Sequence, residues 1–286
     1  MMRWMLAVLA CLPAVLAQDQ PVFRVESRLV EVYATIRDQN GRYLDGLPRD
    51  RFELKDNGEV QPLKVFESNA DKFSCAVLLD TTASMAAALP AVKNSVVHMI
   101  DQLREEDRVA VYSFSLNLNQ LVDFTTDKAA AKQAVLRTRA AGSTALFDAV
   151  SELARDMAPR PGKKAMVVFT DGDDNASLLN VKSAVARAKK AGVPVYAIAE
   201  GDALKSNDLL KELKDIAEMT GGQTYQAHKT SEIAGIFESI TGDLQHTYML
   251  AYQAPPSSDR RWRTIELTVS GLKGGKIRSK EGYLPE

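Results

Sequence analysis

Residues 73–84 read FSCAVLLDTTAS, and residues 165–175 read AMVVFTDGDDN. In both, an unbroken apolar run ends at a carboxylate: CAVLL runs into Asp80, and AMVVF runs through Thr170 into Asp171. A strand buried on both faces of a parallel sheet is near-continuously hydrophobic, whereas a half-buried strand alternates. The two stretches therefore predict central parallel strands. RVAVYSF at 108–114 and VPVYAIA at 193–199 are further runs of the same kind. Helical patterns near 86–104, 127–139, 145–157, 178–191, 207–220 and 230–244 alternate with them, and Gly192 follows AVARAKKA as a helix stop. This alternation predicts an α/β fold, a doubly wound, mostly parallel sheet with helices on both faces.

The carboxyl ends of the strands form the binding crevice of such a sheet, so Asp80 and Asp171 are expected to meet there. Two close carboxylates among hydroxyls, with no cation, repel and raise one proton affinity. A hard divalent cation resolves the conflict. Asp80, Thr82 and Ser84 alternate along the chain, and in an extended loop alternate residues face the same side. Carboxylate and hydroxyl oxygens without Cys or His suit Mg²⁺, with Mn²⁺ or Ca²⁺ as alternatives, rather than zinc or copper. Neutral hydroxyls add oxygens without cancelling charge, which leaves the ion electrophilic toward an acidic group from outside. Thr144, in AAGSTALFDAV at 140–150, puts another hydroxyl on a third loop, where it and Ser143 are also suited to cap the following helix.

DxTxS at 80–84, then Thr144, then TDG at 170–172 resembles the metal-ion-dependent adhesion site (MIDAS) of von Willebrand factor A domains, whose pattern is DxSxS, a Thr and an Asp. Thr82 stands where that family usually has Ser, keeping the oxygen and adding a methyl. The resemblance implies a Rossmann-like fold and a metal-ligand set of Asp80, Thr82, Ser84, Thr144 and Asp171, with Asp171 acting through water. It also implies a sixth position open to an Asp or Glu carboxylate of a protein partner. More narrowly, the chain resembles the von Willebrand factor A-related secreted proteins described from acidobacteria. That likeness runs through LVEVYATIRDQNGRYLDGLPRDRFELKDNGEVQPLKVFE at 29–67 and YMLAY and KEGYLPE at 248–252 and 280–286.

Outside this region the period changes. VEVYATI alternates, DQNGR reads as a hairpin turn, and DRFELKDNGEVQPLKVF supplies two more short strands around Asn57-Gly58. After His246 come TYMLAYQ, RTIELTVS and KIRSKEGYL, with PPSSD as a turn. Neither flank has enough strands to stand alone. Residues 18–70 and 246–286 are therefore expected to form one small all-β, sandwich-like domain, with residues 71–245 inserted in it.

The first residues, MMRWMLAVLACLPAVLAQDQ, combine Arg3, an apolar stretch and small residues before Gln18. They read as a signal peptide over 1–17 cut after Ala17, with lipoprotein processing at Cys11 as the competing reading. Export to the periplasm, cell envelope or exterior follows, and no transmembrane segment is expected in the mature chain. Cys75 is then the one cysteine left, placed in a core strand as a small hydrophobe. A net charge of −1 and a sequence pI near 6.4 give no support to a nucleic-acid partner. KGGKIRSK at 273–280 reads as a solvated, lysine-protected strand edge.

Other chemistries fit less of the sequence. As an EF-hand loop, DGDDN fails at Ala176, where Gly is needed, and at Lys182, where Glu belongs. His98, His228 and His246 lack metal spacing, and no Walker, GxSxG or GxGxxG motif occurs. A Mg²⁺-dependent phosphohydrolase of haloacid-dehalogenase type, with Asp171 as nucleophile and Asp173 as acid, is the enzyme alternative, but it leaves DTTAS unexplained. The expectation is a non-enzymatic module that captures an acidic side chain of a protein partner.

Overall fold

The computed structural model describes residues 29–68, 72–255 and 261–285. The signal-peptide reading over 1–17, including Arg3, Cys11 and the cut after Ala17, lies outside the described residues, as does most of PPSSD. The chain enters through β1 (Leu29–Arg37), β2 (Phe52–Asp56), β3 (Glu59–Val60) and β4 (Leu63–Glu67). It continues as β5 (Phe73–Asp80), α1 (Leu89–Gln102), β6 (Arg108–Phe114), β7 (Leu118–Thr125), α2 (Lys128–Arg137) and α3 (Leu146–Met157). Then come β8 (Lys163–Thr170), α4 (Val181–Ala191), β9 (Val195–Glu200), α5 (Asn207–Thr220), β10 (Thr224–Ala227) and α6 (Ile233–Gln245). The last strands are β11 (Tyr248–Gln253), β12 (Arg263–Val269), β13 (Lys276–Ser279) and β14 (Gly282–Tyr283).

A six-stranded sheet in the order β10-β9-β8-β5-β6-β7 carries the middle of the chain, parallel except for β7. β5 lies at its centre, paired with β6 and β8 along nearly its whole length. Its side chains divide between two cores. Cys75, Val77 and Leu79 pack with α1, α2 and α6, while Ala76 and Leu78 pack with α3, α4 and α5. This double coverage is why the strand reads as a continuous apolar run. The edge strands β7 and β10 were not legible in that way. β7 is largely exposed, and β10 has four residues.

Strands from both ends of the chain share two further four-stranded sheets, ordered β13-β1-β11-β4 and β14-β12-β2-β3. Val32 faces Leu250 and Val30 faces Tyr252 across β1 and β11, while Leu54 faces Leu267 across β2 and β12. Their inward side chains form one core with Ile36, Phe52, Tyr248 and Tyr283. The β2–β3 turn takes positive φ at Asn57 (49°) and Gly58 (82°), the conformation that an Asn-Gly pair favours in a two-residue hairpin.

A buried carboxylate fastens these sheets to the α/β layer. Asp243, on α6 and fully buried, accepts from Arg37 at 2.6 Å, from the Tyr43 hydroxyl at 3.0 Å and from Arg278. Arg278 also reaches Gln223, just before β10. KGGKIRSK is thus only partly the solvated edge that its composition suggests: β13 is an edge strand, but Arg278 turns inward because a buried charge needs a partner.

Two tests follow from this arrangement. A chain ending at Gln245 loses β11–β14 and uncovers Val30, Val32 and Ile36, so it is expected to aggregate where the full chain stays monodisperse on size exclusion. The second test concerns Lys163, which is 5% exposed. Its ammonium has no hydrogen-bond partner, lies 5.7 Å from the Phe73 ring centroid, and is pushed down by burial to a pKa of about 7. Because the unfolded chain holds this proton up to about pH 10.4, the cost of burying the charge is fully felt below pH 7 and fades as pH rises toward that value. Lys163→Met, close in volume, is expected to raise Tm at pH 6–7 and to lose that advantage near pH 10 in a thermal-melt series.

Candidate metal centre

Asp80 is the last residue of β5 and is fully buried at the carboxyl edge of the six-stranded sheet. One carboxylate oxygen accepts the Thr82 N–H at 2.9 Å, and the other accepts the Thr170 hydroxyl at 2.8 Å. The chain then turns away, and the Thr81 N–H and hydroxyl both donate to the Phe114 carbonyl at 2.9 Å. Thr82 is extended (φ −74°, ψ 169°) and leads into a 3₁₀ turn over Ala83–Ala86. Ser84 Oγ consequently lies 3.0 Å from Thr82 Oγ1 and donates to Asp171 Oδ1 at 2.8 Å. Asp80, Thr82, Ser84 and Asp171 are linked in one hydrogen-bonded chain that joins the ends of β5 and β8.

Thr144 is brought to the same place through its backbone. The Ala141 N–H donates to the Thr81 carbonyl at 2.7 Å, and the Ala83 N–H donates to the Gly142 carbonyl at 3.2 Å, clamping this segment to the DTTAS loop. Gly142 sits at φ 91° with the Ser115 side chain 3.1 Å from where a Cβ would stand, so only glycine fits without strain. Thr144 is 3% exposed; its N–H donates to Asn175 Oδ1 at 3.0 Å and its carbonyl accepts the Asn175 and Ala176 N–H groups.

The loop after β8 is held by residues whose sequence context gives little warning. Asp174 accepts the Phe147 N–H at 2.9 Å and the Ser177 hydroxyl at 2.6 Å, and Ser177 Oγ accepts the Asp148 N–H at 3.1 Å. Asp148 returns the contact, accepting the Leu178 and Leu179 N–H groups at 2.8 and 2.9 Å. The first amides of a helix need outside acceptors. For α3 those acceptors come from the β8–α4 loop, since its N-cap residue, Ala145, makes no side-chain cap. Asp148, on the first turn of α3, thereby pins this loop. Glu200, 8% exposed at the end of β9, is a further carboxylate at the carboxyl edge of the sheet.

Among the described residues neither Asp80 nor Asp171 has an ion-pair partner, and no group of three or more His, Cys, Asp or Glu side chains is placed to hold a metal ion. Any cation here would draw on hydroxyl oxygens as well as carboxylates. The donor set fits a hard divalent ion: two carboxylates lacking positive neighbours, with hydroxyls between them.

The family model for the von Willebrand factor type A domain matches residues 75–239. A stretch of 84 residues is 34% identical to integrin alpha-E of Mus musculus, spanning 29% of this chain and 7% of that relative's length. The solved structure of a von Willebrand factor type A protein from Catenulispora acidiphila is similar at TM-score 0.55 and 14% identity, over 91% of this chain and 75% of that one. The conserved hypothetical protein BatB from Bacteroides thetaiotaomicron gives 0.51 at 20% identity, over 60% and 98%. Proximal thread matrix protein 1 from the mussel byssus, solved with a zinc-occupied MIDAS motif, gives 0.54 at 21%, over 66% and 49%. At these identities the structural likenesses speak to the fold.

Burial pushes the Asp80 carboxyl up to about pKa 6, against the pull of its bonds from Thr82 and Thr170, and the Asp171 charge adds a smaller upward push. Mutual repulsion, the expected cause of a raised proton affinity, is therefore secondary to desolvation. With the folded pKa above the unfolded value near 3.9, the metal-free protein is most favoured below that value and loses this contribution as pH rises through 6. In EDTA, Asp80→Asn is expected to melt higher than wild type at pH 7, and the gap should close by about pH 4.

Proposed function

Because the chain belongs to the von Willebrand factor type A domain family, we propose that it is a non-enzymatic protein-binding module. In this reading Asp80, Thr82, Ser84, Thr144 and Asp171 hold one divalent cation, and an Asp or Glu carboxylate of a partner protein completes its shell. The observation that carries the reading is the Ser84 hydroxyl, 2.8 Å from the Asp171 carboxylate and 3.0 Å from the Thr82 hydroxyl. These oxygens come from two strand-end loops, and among the described residues no cationic side chain is ion-paired with Asp80 or Asp171. A bound ion supplies positive charge for an incoming carboxylate. The chain's own residues fix where that charge sits: Thr170 and the Thr82 amide aim Asp80, Asn175 ties Thr144 to the β8–α4 loop, and the Ala141 and Ala83 amides clamp the same segment to the DTTAS loop. Mg²⁺ suits these hard oxygens best, with Mn²⁺ and Ca²⁺ as alternatives.

We place residues 71–245 in this role, and residues 18–70 and 246–286 in a β domain that carries it. The supports are the strands of both flanks sharing one core and the Asp243 contacts to Arg37 and Arg278. Residues 1–17 are proposed to direct export, after which the mature chain starts at Gln18. N-terminal sequencing of the protein recovered outside the cytoplasm tests that start. The phosphohydrolase alternative needs Asp173 as an acid beside Asp171, but Asp173 is exposed and Asp171 is hydrogen-bonded to Ser84.

Since a cation binds the folded site and not the unfolded chain, Mg²⁺ at one hundred times its Kd is expected to stabilise the protein by about 2.7 kcal/mol. Asp80→Ala should abolish the increment, and calorimetry across Mg²⁺, Mn²⁺, Ca²⁺ and Zn²⁺ ranks the ions. If no divalent ion binds the folded wild type, the metal reading fails. Partner capture on immobilised protein should depend on Mg²⁺, be released by EDTA and be lost in Asp80→Ala, whereas Asp173→Asn should leave Mg²⁺ binding intact. Mg²⁺-dependent hydrolysis of a phosphomonoester that disappears in Asp173→Asn would favour the phosphohydrolase instead.

A further inference from the structure

Two unpaired strand edges border the same cavity. β10 ends the six-stranded sheet and β13 ends one of the flanking sheets, each bonded to a single neighbour. The Ala197 N–H donates to the Gln223 carbonyl at 3.0 Å, and Thr224 and Gln226 stand opposite Ala197 and Ala199. Peptide groups alternate in direction along a strand, so the N–H and C=O groups of Thr224 and Gln226 turn away from β9. Both residues line a cavity of about 1070 Å³. β13 lines it too, from Lys276 to Ser279, with Ile265 and Leu267 of β12 beside it. The two strands approach at one end only: a Cβ on Gly221 would stand 3.0 Å from the Lys280 nitrogen, and Arg278 reaches Gln223.

Short strands and lysines are the ordinary means of keeping sheet edges from pairing, and β10 has only four residues. That accounts for edges turned to open solvent. These edges instead share a cavity as large as the roomiest small-molecule sites, which is room for a length of extended chain.

The lining is basic in a chain whose net charge is −1. Its carboxylates are engaged: Asp38 holds Arg42, and Glu218 lies 3.8 Å from Lys214. Glu281 sits beside Lys280 and acts on the Lys189 ammonium. On the other side of the balance, Arg37 and Arg278 share the single carboxylate of Asp243. Lys211 on α5 and Lys276 on β13 are exposed, and among the described residues neither has an ion-pair partner. Carboxylates entering here would meet uncompensated positive charge.

We propose that this cavity takes an extended, acidic segment of a partner protein, laid against the free edge of β10 as a further strand of the six-stranded sheet. Main-chain bonds to Thr224 and Gln226 hold it. Alternate side chains of such a segment face opposite ways, carboxylates toward Lys211 and Lys276 and apolar groups toward Leu267 and Ile277. None of Asp80, Thr82, Ser84, Thr144 or Asp171 lines the cavity, so this surface is separate from the candidate metal centre and does not depend on it.

The probe is a synthetic peptide of alternating glutamate and valine, about six residues long as strands usually are, titrated onto the full chain in EDTA. It should bind, and hydrogen exchange should slow at the Thr224 and Gln226 amides and not along β7, the other free edge of the same sheet. A lysine–valine peptide should bind about tenfold more weakly, the scale of a few exposed charge pairs, and Lys211→Glu/Lys276→Glu should reverse that preference. Gln226→Pro removes an outward N–H and no bond to β9, a change that edge positions tolerate, and should weaken binding where Gln226→Ala does not. Two further peptides, N-methylated at every glutamate or at every valine amide, make the same test without altering the protein, and at least one should fail to bind. No binding of the glutamate–valine peptide, equal binding by the parent and both N-methylated peptides, equal binding of the lysine–valine peptide, or protection confined to β7 would each overturn the inference. Binding that appears only with Mg²⁺ would place the peptide at the metal centre, overturning this inference and leaving the metal-dependent reading standing.

Discussion

Among the described residues no cationic side chain pairs with the buried carboxylate that ends β5, and the loops at that edge of the sheet are arranged around it. Burying a charge is costly unless it is paired, hydrogen-bonded or neutralised by protonation. The donors that Asp80 receives, from Thr82 and Thr170, are neutral, and burial raises its proton affinity against their pull. The position is set by the sheet: β5 must be apolar along its length because both faces are covered, so the first residue free to be polar is the one at its end.

Other buried carboxylates in the chain show how different this solution is. Asp243 takes two guanidinium groups and a tyrosine hydroxyl, and Asp56 takes Arg263 at 2.6 Å with the Tyr252 and Tyr283 hydroxyls at 2.9 Å. Asp107 accepts the Phe73 and Arg104 amides while Lys128 approaches its carbonyl. Removing one partner of a buried ion pair typically costs about 3–5 kcal/mol, so the Asp56 and Asp243 clusters read as structural clasps. Asp80 has no such partner, although arginine would fit the charge problem equally well. That Asp56 and Asp243 are paired with arginines while Asp80 is left to neutral donors is what supports the divalent ion proposed for that edge.

Much of this was legible in the sequence, for reasons that differ by element. The four central strands announce themselves because two-sided burial writes an unbroken apolar run, and α5 spans the 207–220 pattern because its apolar stripe and its Ser206 and Gly221 caps agree. The DTTAS and TDG segments could be placed at one edge because parallel strands share a direction, whereas Thr144 joined them through the family resemblance. What stayed hidden depends on pairing across long separations. β7 and β10 lie at sheet edges, where half-burial erases the run. Arg278 reads as part of a lysine-rich edge until Asp243 is seen beside it. Asn175, Asp148 and Asp174 resemble ordinary loop polars, yet they carry the amides at the start of α3 and fix the β8–α4 loop. Glycine-142 is legible only as a small residue until Ser115 closes over it.

The two halves of the architecture meet at opposite ends of the same strands. The sheets built from the chain termini attach through Asp243 on the last turn of α6 and through Gln223, just before β10, which is the amino-end side of the parallel strands. Asp80, Asp171 and the loops around them occupy the carboxyl-end side. Inserting the α/β layer between β4 and β11 thus uses up the edge where chain entry and exit already lie, and none of the candidate ligands touches the inserted junction. The consequence is mechanical as well as topological. The β sheets anchor the layer by its buried ion cluster, at the end of the strands away from Asp80, Ser84 and Asp171, whose hydrogen bonds belong to the α/β layer alone.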